Sequence, residues 1–182
     1  PFQLTHAAGH QAWYAAVNAL FGDFKKFKAD YSVMPAATYT APEVARVGIN
    51  EKEAIAQGID YEIAHYGIDD LDRAIADGED HGFIKVITPK GKDKILGATI
   101  VGSHAGDLLA EFTLAMRHGL GLNKILGTVH PYPTMSEATK YTAGVWKQNN
   151  APQGLLVWVE KFHAWMRNES KNNGSQPIKK ED

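Results

Sequence analysis

The sequence predicts an α+β fold, a mostly antiparallel sheet with helices packed on it. Three observations carry this. The stretch GFIKVITPKGKDKILGATIVGS, from Gly82 to Ser103, alternates in period two around a Pro-Lys-Gly-Lys-Asp centre and reads as a hairpin. Before it, short strands alternate with short helices closed by glycine. After it, the chain turns helical. Strands followed by a run of helices fit α+β and argue against a doubly wound sheet.

The elements follow in order. Leu4 to Phe21 reads as a helix, with a small-residue face of Ala7, Ala8, Ala12, Ala15, Ala16 and Ala19. FGDFKKFKADYS breaks it. Short strands are expected at Ala36–Tyr39 and Glu43–Gly48, with Pro42 limiting the join. Asn50 as N-cap, acids in the first turn and Gly58 at the end bound a short helix. DYEIAHYGI reads as a strand and DDLDRAIADG as a second short helix. Beyond the hairpin, Leu108, Leu109, Phe112, Ala115 and Met116 recur at helical spacing, and Gly119 stops that helix. GLNKIL is a short helical piece, Thr134–Gln148 a longer helix, and QGLLVWVEKFHAWMRN the last. By segments, residues 1–30 are a terminal helix and linker, 31–150 the main domain, 151–168 a C-terminal helix and 169–182 a polar tail. An opening at Pro1 in helical patterning, without Met, suggests a piece of a longer protein.

Composition excludes several classes of function. The 182 residues carry a net charge of −2 with no basic cluster, so a nucleic-acid partner has little electrostatic support. The absence of cysteine excludes disulfides, thiolate metal sites and a cysteine nucleophile within the chain, and fits a cytoplasmic protein. No apolar run is long enough to cross a bilayer. GLGLNK lacks the third glycine of a nucleotide loop and follows a helix. His6 and His10 stand four apart on a helix but have neither an acid between them nor a third ligand, so no metal is expected. His104 before Asp107 reads as a helix entrance or polar contact. The sequons at Asn168 and Asn173 carry no weight.

TVHPYPTMSEATKYTAGVW, Thr128 to Trp146, holds His130 and Tyr132 between prolines. Thr134-Met135-Ser136-Glu137 is a T-x-x-E capping box, in which Thr134 would accept from the backbone near Glu137 while Glu137 reaches back. Such a cap contributes about 1 kcal/mol. The stiff lead also holds the backbone where His130 and Tyr132 would project. Helix start and presentation of side chains both remain open.

Three segments carry a resemblance. TYTAPEVARVGINEKEA, GFIKVITPKGKDKILGATIVGSHAGDLLAEFTLAMRHGL and VHPYPTMSEA resemble, in order, the dimerisation domain of FAD-dependent pyridine nucleotide–disulfide oxidoreductases. That group includes dihydrolipoamide dehydrogenase, glutathione reductase and mercuric reductase. The last segment resembles the signature His-x-His-Pro-Thr-x-Ser-Glu, and the likeness spans about residues 36–148.

The resemblance implies a homodimer in which each C-terminal domain presents a side chain to the partner's flavin and redox disulfide. The family's proton-shuttling His falls at Tyr132, its supporting Glu at Glu137 and its first His at His130. A free Tyr has a pKa near ~10 against about 6.5 for His, so Tyr132 is a poor proton acceptor. Mercuric reductases carry a Tyr in this general place, so the resemblance leans toward a mercuric-reductase-like branch.

The first helix is similar to the family's last FAD-domain helix, which makes Gln3, Leu4, Thr5 and His6 the implied flavin contacts. The parent would use FAD and NAD(P)H, whereas this chain alone is expected to bind neither and to be inactive. Self-association through the sheet and the helices from Ala105 onward is the expected role, beside the remaining FAD and NAD(P) domains. A non-catalytic self-association module is the alternative. In the last helix, Leu155, Leu156, Trp158, Val159, Phe162, Trp165 and Met166 form an apolar face near Lys161 and Arg167. Packing on the domain or at a dimer seam is preferred there to membrane contact.

Overall fold

The computed structural model describes residues 2–173. The chain forms two compact units, divided between Lys147 and Gln148.

In the first unit, α1 (Thr5–Phe21) buries only Ala7, which leaves Trp13, Leu20 and Phe21 exposed. Five strands follow: β1 (Ala36–Thr38), β2 (Glu43–Gly48), β3 (Tyr61–Gly67), β4 (Phe83–Pro89) and β5 (Gly97–Gly102). They form one antiparallel sheet in the order β1-β2-β5-β4-β3. The α+β reading therefore holds.

Register puts Ala45, Ile100, Ile84 and Tyr66 in one row across the sheet, and Val47, Ala98, Val86 and Ala64 in the next. Side chains alternate faces along a strand, so both rows share one face. The helix α4 (Ala105–Arg117) packs on that face over β1, β2 and β5. It contributes Leu109, Phe112 and Ala115 to the core. The helices α5 (Leu122–Leu126) and α6 (Glu137–Asn149) complete the core with Leu122, Ile125, Ala138, Ala143 and Trp146.

Between β2 and β3 lies α2 (Glu51–Ala56), and between β3 and β4 lies α3 (Asp72–Asp77). The predicted cap on α2 is a complete box. Asn50 Oδ1 accepts from Glu53 N–H at 2.9 Å, and Glu53 Oε2 accepts from Asn50 N–H at 2.7 Å. Glu53 also binds Arg46, which with the capping bond holds its carboxyl below the usual range.

Two differences from the sequence reading bear on the site and the tail. The helix α6 begins at Glu137, not Thr134. Glu137, Ala138 and Thr139 donate to carbonyls three residues back, so Thr134 offers its carbonyl rather than its hydroxyl to Glu137 N–H. In the second unit, α7 (Gln153–Asn173) extends five residues beyond Asn168, into the span read as polar tail. Local polarity removes apolar anchoring but does not stop a helix that carries no breaker. The remaining tail, 174–182, lies outside the described residues.

Candidate functional site

The site is built on the segment from Thr128 to Glu137, between α5 and α6. His130 does not project, contrary to the sequence reading. Its side chain is 6% exposed, with Nε2 3.0 Å from Glu111 Oε1 on α4 and Nδ1 3.1 Å from the Thr128 carbonyl. Thr139 on α6 donates to the other Glu111 oxygen and lies 2.7 Å from the Ser136 carbonyl. A carbonyl can only accept, so the Nδ1 contact requires a proton on that nitrogen. Glu111 thereby ties the segment to α4 and α6.

Tyr132 does project, and is 70% exposed. Its phenol donates to Asp72 Oδ2 at 2.6 Å, in the first turn of α3 and sixty residues away in sequence. That bond, and then the Asp72 charge, raises the phenol above its ordinary pKa. The ring is followed by Pro133 through a cis peptide.

Glu137 does not meet Tyr132. It is 8% exposed, and both oxygens are taken by nearer groups. Oε2 accepts from Thr134 N–H at 3.2 Å, and Oε1 accepts from the Tyr141 hydroxyl at 3.2 Å. The capping box is thus half formed. Glu137 reaches back as expected, but the Thr134 hydroxyl donates instead to the Pro131 carbonyl at 2.7 Å.

Tyr141 packs on Tyr66 with ring centroids 5.5 Å apart, and Tyr66 donates to Asp70 at 2.6 Å. Both phenols are raised, each by burial first, then Tyr66 by Asp70 and Tyr141 by Glu137. Three phenols bonded to three carboxylates thus line this end of the first unit, and all three favour the protonated form. They can donate hydrogen bonds but serve poorly as bases.

The residues at the start of α1 lie apart from this group in the fold. Leu4 is the N-cap and its side chain makes no capping bond, so the first amides of α1 lack a side-chain acceptor. Leu4, Thr5 and His6 line a cavity of about 420 Å³ with Ala36, Tyr39 and Gly106. Gln3 is exposed and not part of that lining. His6 Nε2 donates to the Pro35 carbonyl at 2.9 Å, while His10 stands edge-on to Tyr14. Among the described residues no His, Cys, Asp or Glu group is arranged to hold a metal ion.

The sequence reading missed Asp72, Glu111 and Thr139. Asp72 and Thr139 carry no local signal, because their contacts cross between elements. Glu111 carries a weak one, a carboxylate at the edge of the apolar stripe of α4.

The family model described as "Pyridine nucleotide-disulphide oxidoreductase, dimerisation domain" matches residues 34–143. A dihydrolipoyl dehydrogenase of Chlamydia muridarum is 40% identical over 136 residues, covering 75% of this chain and 29% of that protein. One from Trypanosoma brucei brucei is 43% identical over 111 residues, covering 61% and 23%. Among solved structures, LpdA from Mycobacterium tuberculosis aligns with a TM-score of 0.70 at 22% identity, covering 78% of this chain and 30% of that one. The HOCl-induced flavoprotein disulfide reductase RclA from Escherichia coli aligns at 0.72 and 21%, covering 79% and 33%. At those identities the structures establish likeness of fold alone. The chain spans less than a third of either curated relative. The matched residues run from just before β1 into α6 and take in the whole sheet, so this chain belongs to the pyridine nucleotide–disulphide oxidoreductase dimerisation-domain family, the dimerisation domains of flavin disulfide oxidoreductases.

Proposed function

We propose that this chain is the dimerisation domain of an FAD-dependent NAD(P)H oxidoreductase acting in the cytoplasm, and that it presents Tyr132 to the flavin or redox centre of a partner subunit. The observation that carries this is the exposed Tyr132 phenol, held by Asp72 at the position where the family places its proton-shuttling His. A phenol that keeps its proton and donates it in a hydrogen bond to Asp72 does not take up another near neutral pH. Its oxygen still accepts a hydrogen bond or contacts a cation. This favours a metal ion or another small acceptor over a disulfide that needs a proton shuttle. The mercuric-reductase-like reading rests on this tyrosine, whereas the relatives named above are dihydrolipoyl dehydrogenases.

The residues at the α1 start fit one edge of a flavin. Their uncapped amides suit an acceptor group, and the adjoining cavity gives room beside them. FAD would supply the electron relay from NAD(P)H. Leu4, Thr5 and His6 would flank it, with Gln3 at the rim. The remaining FAD and NAD(P) domains belong to the rest of the parent chain.

The test is NAD(P)H oxidation by the full-length protein with metal-ion, quinone and disulfide acceptors. Tyr132→Phe should lower turnover with the true acceptor about tenfold, the worth of one good hydrogen bond in the transition state. Asp72→Asn should lower it too, while leaving FAD content unchanged. Turnover unaffected by Tyr132→Phe would overturn the presentation role. A full-length protein that oxidises no NAD(P)H would favour the second reading, a self-association module without catalysis. The commitment of Glu137 to Thr134 and Tyr141 is what speaks for that reading.

A further inference from the structure

The helix α7 begins beyond residue 143, where the family model ends, so the family role leaves it unexplained. At about 100° per residue, Leu155, Trp158, Val159, Phe162, Trp165 and Met166 fall within one strip about 120° wide. Five of these six are 40–61% exposed, and Val159 is half-buried. The strip is ordered within itself. Trp158 stacks on Phe162 with ring centroids 5.5 Å apart and an interplanar angle of 7°, and Trp165 lies 6.0 Å from Phe162.

Over residues 153–167 the charges are arranged around the strip. Lys161 borders one edge, with His163 and then Arg167 on the other. Glu160, the one acid of residues 153–167, falls about 160° from the centre of the strip. Cations beside an apolar strip, with the acid behind it, complement an anionic surface that has an apolar interior. The tryptophan rings, apolar with one N–H, suit the boundary between the two.

A second copy of the helix fits less well. Leu155, Trp158, Phe162 and Trp165 occupy a and d heptad positions, but over only two heptads, where a coiled coil needs at least three or four. The flanking e and g positions hold Val159, Lys161 and Met166, with no acid to pair across the seam. Nor does α7 cross a bilayer, since no helix among the described residues is long and apolar enough to do so.

We propose that α7 lies in the plane of an anionic lipid surface, with the Trp158–Phe162–Trp165 strip sunk at the headgroup boundary and Lys161 and Arg167 toward the lipid phosphates. The function proposed above rests on Tyr132 in the first unit, so this docking stands or falls separately from it.

The experiment is co-sedimentation of the full 182-residue chain with phosphatidylcholine vesicles, with and without phosphatidylglycerol. Tryptophan quenching by brominated lipid is read in parallel. The chain should partition onto the anionic vesicles with quenching. Phe162→Gln should lower the partition coefficient at least about tenfold. Val157→Gln, on the opposite side of the helix, should leave it unchanged. Lys161→Gln and Arg167→Gln should each lower it about fivefold on anionic vesicles and little on neutral ones. These side chains are solvent-exposed, so the variants keep their fold, which circular dichroism checks. Failure to bind either vesicle overturns the proposal, as does an equal loss from Val157→Gln. Mass that grows with concentration and collapses in Phe162→Gln, without vesicle binding, would assign the strip to a second copy instead.

Discussion

Replacing Glu111 tests whether one carboxylate holds the segment that carries Tyr132. Glu111 serves His130 Nε2 at 3.0 Å and the Thr139 hydroxyl with its two oxygens. Leucine fills a similar volume and accepts nothing. The His130 ring, 6% exposed, would keep only the Thr139 oxygen at 3.4 Å as a weak neighbour of Nε2. Orphaning a buried polar group costs about 1–3 kcal/mol, and losing a hydrogen bond of charged character about 1.5–3. These overlap, so Glu111→Leu should destabilise the first unit by about 2–4 kcal/mol, a large share of a typical total of roughly 5–15. Glu111→Gln should behave differently. Its amide oxygen can accept from Thr139, and its NH₂ can donate to an unprotonated Nε2 while Nδ1–H still meets the Thr128 carbonyl. That swap should cost about 1 kcal/mol or less. Urea unfolding followed through the buried Trp146 gives both values. A Leu variant within about 0.5 kcal/mol of the parent would refute the anchoring role, as would equal losses in the two variants.

Other perturbations separate the remaining contributions. Asp30 is held at about 2 by bonds from Ser32 and by Arg117. Because its folded pKa lies below the ordinary value of 3.8, its contribution is complete above pH 4 and fades as pH falls toward 2. Asp30→Asn should therefore flatten the acid limb of urea midpoint against pH, and an unchanged limb would refute this. A Cβ at Gly97 would stand 2.0 Å from the Ile49 carbonyl oxygen, so Gly97→Ala should cost about 3 kcal/mol or more or prevent folding. Gly78→Ala meets nothing within 4 Å and should cost only the left-handed backbone strain, about 1–2 kcal/mol by the same urea assay. Asn50→Ala should lose about 1 kcal/mol, since it removes the acceptor for Glu53 N–H at the start of α2.

The sheet was legible in the sequence because its signals are local. Glu43–Gly48 appears at the predicted bounds, and the cap on α2 forms as read, since both depend on neighbours a few residues apart. The hairpin paired as its alternation required, with Phe83 opposite Val101 and Ile87 opposite Gly97. The site was legible only in part. Tyr132 stood out by its prolines, but its partner Asp72 lies on another element, and nothing near either residue encodes the meeting. His130 looked presented for the same reason, until α4 supplied Glu111. The T-x-x-E pattern misled because a threonine hydroxyl has competing acceptors, and here the Pro131 carbonyl took it.

Glu137 is committed to neighbours other than Tyr132. Its oxygens accept from Thr134 N–H and the Tyr141 hydroxyl, while the phenol of Tyr132 donates to Asp72 and not to Glu137. A phenol carries its polar atom farther from the backbone than an imidazole, and so finds Asp72 instead. Restoring the family's residue alone should therefore not restore its dyad. In Tyr132→His the imidazole should titrate near the ordinary 6.5. Adding Tyr141→Phe frees Glu137 Oε1, and a nearby carboxylate favours the charged ring, so the midpoint should move upward. Nitrogen-15 NMR titration of the introduced ring in the two variants measures the difference. Identical midpoints would mean that Tyr141 does not withhold Glu137, and that the path of the backbone through Pro131 and Pro133 keeps the two side chains apart.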